Sequence, residues 1–129
     1  MTACSESPTE DILKSHIQTM EDAIETKRPK DALEFIHDNF HTDKSADKDW
    51  IKRTLLMYKL RHDNISITTS SISIDVKDEY TAIANFTALV AGGSGLIPKE
   101  GAIYQVQSEW RKEENDWQIV YAKWQKNLQ

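Results

Sequence analysis

Halfway along this chain the apolar residues change their period. Before residue 64 they recur at helical spacing, and from Ile65 onward they recur at every second position, which commits the sequence to helices first and sheet second. The second half is the more explicit. Ile65 and Ile67 are apolar at odd positions, whereas Ile72, Ile74 and Val76 are apolar at even ones, so a bulge or bend is expected near residues 69–71. Lys77, Asp78 and Glu79 form a turn into residues 80–91, a run apolar on both faces that suits a central strand. The next strand sets Tyr104, Val106, Ser108 and Trp110 on one face and Gln105, Gln107, Glu109 and Arg111 on the other. Residues 113–116 turn the chain back, and the last strand alternates Trp117, Ile119 and Tyr121 against Val120, Ala122 and Trp124.

The first half reads as three helices. Ser7 caps the first, Pro8 suits its first position and Glu10 completes a capping box, after which Ile12, Leu13, Ile17, Met20 and Ile24 form one apolar face. The pattern breaks at residues 26–28. A shorter helix follows from Pro29, carrying Ala32, Leu33, Phe35 and Ile36, ending near Asn39, with Phe40 packed beneath it. Ser45 or Asp47 caps a third helix bearing Trp50, Ile51, Leu55, Tyr58 and Leu60, which His62, Asp63 and Asn64 end. Helices followed by a meander predict an α+β domain, with three N-terminal helices covering one face of a strongly curved antiparallel sheet. We divide the chain into a flexible N-terminus at 1–7, a single domain at 8–125 and a C-terminal tail at 126–129.

With 129 residues the chain has the length of one domain with one core, and 39% hydrophobic against 29% charged residues argues against global disorder. The net charge is −5, and basic residues such as Lys27, Arg28, Lys48 and Lys52 are interspersed with acids, so no stripe follows a phosphate backbone and nucleic acid is not an expected partner. One cysteine, Cys4, allows no internal disulfide. Thr2-Ala3-Cys4-Ser5 is similar to the end of a bacterial lipobox, although no apolar signal stretch stands between Met1 and Cys4. A lipidated Cys4 would make this a periplasmic lipoprotein, and an incidental thiol would leave it cytoplasmic. No run approaches the length of a membrane span, so a lipid anchor is the only membrane attachment expected.

The layout, together with Tyr104-x-Val106-x-x-x-Trp110 and Trp117-x-x-x-x-Ala122-x-Trp124, resembles the nuclear transport factor 2-like superfamily, which includes ketosteroid isomerases, scytalone dehydratase and polyketide cyclase-like proteins. The likeness covers about residues 8–125. Arg61-His62-x-x-Ile65, Phe86-Thr87-Ala88-Leu89, Gly92-Gly93-Ser94-Gly95 and the closing tryptophans are similar to a bacterial subgroup of it, some members of which are lipoproteins. The resemblance implies a cone-shaped pocket between sheet and helices, and a homodimer through the outer sheet face. It does not imply a reaction, because the fold hosts enzymes, binding modules and adaptors alike.

Enzymes of this kind place a tyrosine with carboxylates or histidines in an apolar cavity. The catalytic candidates are Asp38, Tyr104 and His16, with His41, Asp43 and Tyr121 in reserve, and the ligand-binding candidates are Tyr58, Phe86, Tyr104, Ser108, Trp110 and Trp124. The ketosteroid isomerase pattern needs a protonated acid deep in the sheet, where this chain carries Phe86, Ala88, Val106 and Ser108. The Asp, Tyr and His set of scytalone dehydratase has no match either. His37 and His41 have a zinc-like spacing but no third ligand and no intervening glutamate, so no metal and no cofactor is expected. The glycine run at 92–95 lacks the ending of a phosphate loop and reads as a flexible hairpin connection or a lid. Trp110 and Trp117 flank one hairpin, where register decides whether they pair. Three functions stay open: a pocket for a small apolar or amphipathic ligand, a cofactor-independent isomerase, dehydratase or cyclase, and a protein-interaction module with a filled pocket and an exposed apolar patch.

Overall fold

A computed structural model describes residues 8–61, 64–92 and 101–127. Helix α1 (Pro8–Glu25) is followed by a short α2 (Pro29–Leu33), strand β1 (Ile36–Thr42), helix α3 (Lys48–Arg61) and strands β2 (Ile65–Val76), β3 (Thr81–Gly92), β4 (Ala102–Glu113) and β5 (Asp116–Lys126). The strands form one sheet in the order β1-β5-β4-β3-β2, with the helices on one of its faces. This is the expected α+β arrangement with one amendment. The second helix stops at Leu33, and residues 36–42 form a fifth strand running parallel to β5, so the sheet is mixed.

Local chemistry explains the boundaries. Pro8 opens α1, while Ser7, Cys4 and the rest of the N-terminus lie outside the described residues. The helix ends in a Schellman motif, with Lys27 at φ 60° and the N–H groups of Lys27 and Arg28 returning to the carbonyls of Ile24 and Ala23. Of the two expected caps for α3, Asp47 is used: its Oδ1 accepts the N–H of Trp50 at 3.0 Å. Thr42 Oγ1 accepts the N–H groups of Lys44 and Ala46, closing the turn from β1.

The expected slip in β2 is a bulge between Ser70 and Ser73, with Ser71 at φ 55°. Asp78 caps the β2–β3 turn by accepting the N–H groups of Tyr80 and Thr81. The β4–β5 hairpin turns on Glu114 and Asn115, both at positive φ, as a two-residue primed turn requires. A second bulge shifts the β4–β5 register between Glu109 and Trp110. It takes up Val120 as the extra residue, so Trp117 and Ile119 face inward before it and Ala122 and Trp124 after it. Trp110 is paired with Ile119, and Trp117 with Lys112, so the two tryptophans are diagonal neighbours, not a direct pair. The glycine-rich connection follows β3, and its residues 93–100 lie outside the described residues.

The core is built by Leu13, Ile17, Ile36, Phe40, Trp110, Trp117 and Ile119, with Ala82, Ala84 and Ala122 on the floor. Two carboxylates fix α1 to the edge of the sheet. Glu21 Oε1 accepts the N–H of Thr69 at 2.9 Å, and Glu25 Oε2 accepts that of Ile67 at 2.7 Å. Four helical residues advance about 6 Å and two strand residues about 6.6 Å, so carboxylates one turn apart match alternate donors of an edge strand. The same bonds cover an edge that would otherwise invite pairing.

Candidate functional site

Between the helices and the sheet lies a two-lobed apolar cavity. The first lobe, about 290 Å³, is lined by Ile36 and Phe40 of β1, Trp50, Ile51, Thr54 and Leu55 of α3, and Ala122 and Trp124 of β5. The second, about 200 Å³, runs between Ile17 and Glu21 of α1 and Ile67, Thr69, Ala88, Val90 and Trp110 of the sheet. Met20, Ile24, Phe86, Ser108 and Ile119 belong to both walls. Two of its sheet positions, Ala88 of β3 and Ala122 of β5, are alanines, whose short side chains leave room beneath the helices. At the end of the first lobe Trp50 and Trp124 stack with ring centroids 6.2 Å apart and planes 26° apart.

The buried polar groups of this wall have partners. Trp110 Nε1 donates to Ser108 Oγ at 2.9 Å, and Ser108 in turn donates to the carbonyl of Ala84 at 3.3 Å. Glu21 holds the edge of β2, as described. Among the described residues no buried side-chain nitrogen or oxygen lacks a hydrogen-bond partner.

The sequence-derived candidates divide cleanly. Phe86, Ser108, Trp110 and Trp124 are brought together in the cavity wall. Tyr104 lies on the inner face of β4, half-buried, and is part of neither lobe; Tyr58 lines a separate small crevice beside Pro29 and Leu55. Asp38 stands on β1, 91% exposed, with its Oδ1 accepting from Lys48 Nζ at 3.1 Å, so it does not reach the cavity as a base. Asp43 is exposed in the turn after β1, and His41 and Tyr121 meet ring to ring at 5.1 Å outside the cavity wall. His37 contacts Glu113 at 3.2 Å. With His37 and His41 on a strand instead of a helix, their spacing no longer brings the two rings together, and among the described residues no group of three or more His, Cys, Asp or Glu could hold a metal ion. The residues that sequence reasoning missed include the walls from α1, β1 and α3, among them Met20, Ile24, Ile36, Phe40, Trp50 and Ile51.

His16 does not line the cavity. Its ring lies against Phe35 at 4.7 Å and Trp110 at 5.9 Å, clamping α1 to the sheet. Burial lowers its pKa, and the negative charge of Asp116 offsets part of that effect. The unfolded chain therefore takes the proton first as pH falls through about 6.5. Stability held above that pH is lost as the pH drops toward the depressed folded value. We expect the melting temperature to fall between neutral pH and pH about 5, and the fall to shrink in His16→Gln; an unchanged pH profile in the variant would show the ring to be electrostatically idle.

On the opposite side of the sheet a wider, polar hollow of about 500 Å³ is walled by Asp43, Lys44, Asn85, Gln105, Gln107 and Lys123. Its lining is polar, in contrast to the apolar space beneath the helices.

No protein-family model and no curated protein matches the sequence. Solved structures do match, over nearly the whole chain. A nuclear transport factor 2-like protein from Cytophaga hutchinsonii superposes with a TM-score of 0.77 at 11% identity, covering 94% of this chain and 100% of that one. This chain has the nuclear transport factor 2-like fold. A protein with a cystatin-like fold from Caulobacter vibrioides gives a TM-score of 0.75 at 15% identity over 92% of this chain and 89% of that one. A provisionally named scytalone dehydratase from Novosphingobium aromaticivorans gives 0.75 at 14% over 95% and 89%. At such identities the likeness is one of fold, and the nuclear transport factor 2-like fold carries many unrelated activities.

Proposed function

We propose that this protein binds a small, predominantly apolar molecule in the two-lobed cavity and does not transform it. The observation that carries this reading is an apolar wall in which, among the described residues, every buried polar side-chain atom has a hydrogen-bond partner. A catalytic cavity needs a titratable group whose proton or lone pair is available to the substrate. Here the catalytic candidates Asp38, Tyr104 and His16 all stand outside the wall, Ser108 is bonded to Trp110 and Ala84, and the Glu21 carboxylate of the second lobe is held by the N–H of Thr69. Pockets of this size with few polar groups suit a compact hydrophobic ligand. That one structural neighbour is named for a dehydratase does not supply the missing groups.

The test is fluorescence titration with N-phenylnaphthylamine, a neutral dye that brightens in apolar surroundings. A saturable, stoichiometric rise is expected, equal in the wild type and in Asp38→Asn and Tyr104→Phe. The absence of saturation would end the reading, and loss of binding in either variant would return that residue to the site.

The outer face of the sheet supports a homodimer. Leu89 and Ile103 are cross-strand partners there, both exposed, beside Asn85, Thr87, Gln105 and Gln107. Light scattering of the intact chain should give twice the monomer mass.

A further inference from the structure

Helix α3 is apolar on two sides. Ile51, Thr54 and Leu55 face the cavity. On the solvent side Leu56, Met57 and Leu60 are 43%, 40% and 70% exposed. Their spacing places them on one stripe of the helix, and no residue of 48–60 is buried. A single exposed leucine is ordinary; a contiguous stripe of long apolar side chains marks a surface with a partner.

The charge of the helix identifies that partner. It carries Lys48, Lys52, Arg53, Lys59 and Arg61 against Asp49 alone, a net +4 within a chain of −5. Lys48 is bonded to Asp38, and Arg53 lies 4.0 Å from Asp49. Among the described residues no ion pair engages Lys52 or Lys59, and these two flank Leu56, one turn on either side. Exposed leucine and methionine between lysines is the composition of a helix that lies in a membrane interface, its apolar side chains among the acyl chains and its lysines at anionic headgroups. Among the described residues no helix is long and apolar enough to cross a membrane, so the contact would be peripheral.

We propose that the solvent side of α3 docks this protein on the surface of an anionic lipid bilayer. The sequence pointed to a membrane only through a lipidated Cys4, and α3 provides a route that does not need it. The same helix forms one wall of the cavity, and Trp50 at its start stacks on Trp124 at the end of the first lobe, so docking sets that end of the cavity beside the lipid. The dimer face lies on the far side of the sheet and stays free.

The experiment is sedimentation of the intact chain with vesicles of phosphatidylcholine alone, and of phosphatidylcholine and phosphatidylglycerol in equal parts. Binding to the anionic vesicles only, weakened by added salt, is expected. Each lysine near such a surface contributes about fivefold in affinity, so Lys52→Glu with Lys59→Glu should weaken binding by at least about tenfold. Leu56→Ser with Leu60→Ser should do the same by removing the buried apolar area. Lys123→Glu with Lys126→Glu on β5, an equal change of charge, should leave binding within about twofold. Circular dichroism checks that each variant is folded. No binding to anionic vesicles, an equal loss in the β5 control, or full binding after removal of Leu56 and Leu60 would each overturn the proposal, the first of them directing attention to an acidic protein partner.

Discussion

Replacing Ala122 by phenylalanine should abolish most of the affinity for an apolar ligand while leaving the fold intact. Ala122 is 7% exposed on the inner face of β5, opposite Ser108, and forms part of the floor of the first lobe. A ring built from its Cβ enters space now bounded by Phe40, Trp50 and Trp124. Overpacking a filled core costs about 1–3 kcal/mol, but this side chain grows into an existing void, and the new contacts offset the strain. A ligand denied about 100 Å² of apolar contact loses about 2.5 kcal/mol, close to a hundredfold in affinity. Titration of N-phenylnaphthylamine against wild type and Ala122→Phe measures this. Thr68→Phe, on the exposed outer side of β2, is the control and should bind as the wild type does. Equal affinity in all three would place the dye elsewhere.

Trp110→Ala should be the most damaging change to stability. The side chain is 1% exposed and its indole spans α1 and the sheet, touching His16 and donating to Ser108. Truncation of a buried tryptophan costs about 3–5 kcal/mol, and Ser108 loses its donor in a buried site, which adds to the loss. Against a total stability of about 5–15 kcal/mol for a domain, the variant should unfold at much lower urea than the wild type, and a midpoint close to the wild type's would mean that the core does not depend on this ring. Trp110→Phe keeps the apolar contacts and should recover a large part of the loss, leaving the Ser108 hydroxyl as the remaining defect.

The sheet was legible because a strand with one buried face writes its period into the sequence. The bulge in β2 could be read from the change of parity between Ile67 and Ile72, and the cap of α3 from Asp47. Strand β1 was not legible. Leu33, Ile36 and Phe40 stand at spacings that continue a helix, the strand's register shifts between Ile36 and His41, and its partner β5 lies some eighty residues further along the chain. Reading it as helix placed His37, Asp38 and His41 at a helix end and made Asp38 a candidate base. The second bulge, at Val120, was equally hidden, because alternation in Trp117, Ile119 and Tyr121 runs on across it without a visible break. A signal for the cavity was present in Ala88 and Ala122, small residues at inner positions that line it, but volume depends on how far the helices stand from that floor. The charge of α3 was visible in its letters, and its meaning required knowing that Leu56, Met57 and Leu60 face away from the core.

An apolar ligand should enter the space between helices and sheet. Isoleucine methyl resonances report on it residue by residue. Ile17, Ile24, Ile36, Ile51, Ile67 and Ile119 line the two lobes, whereas Ile83 and Ile103 lie on the opposite face of the sheet. A methyl-labelled sample titrated with N-phenylnaphthylamine should show the cavity isoleucines shifting together to saturation, with Ile83 and Ile103 unmoved. Shifts confined to Ile83 and Ile103, or no saturable shift at any methyl, would contradict it.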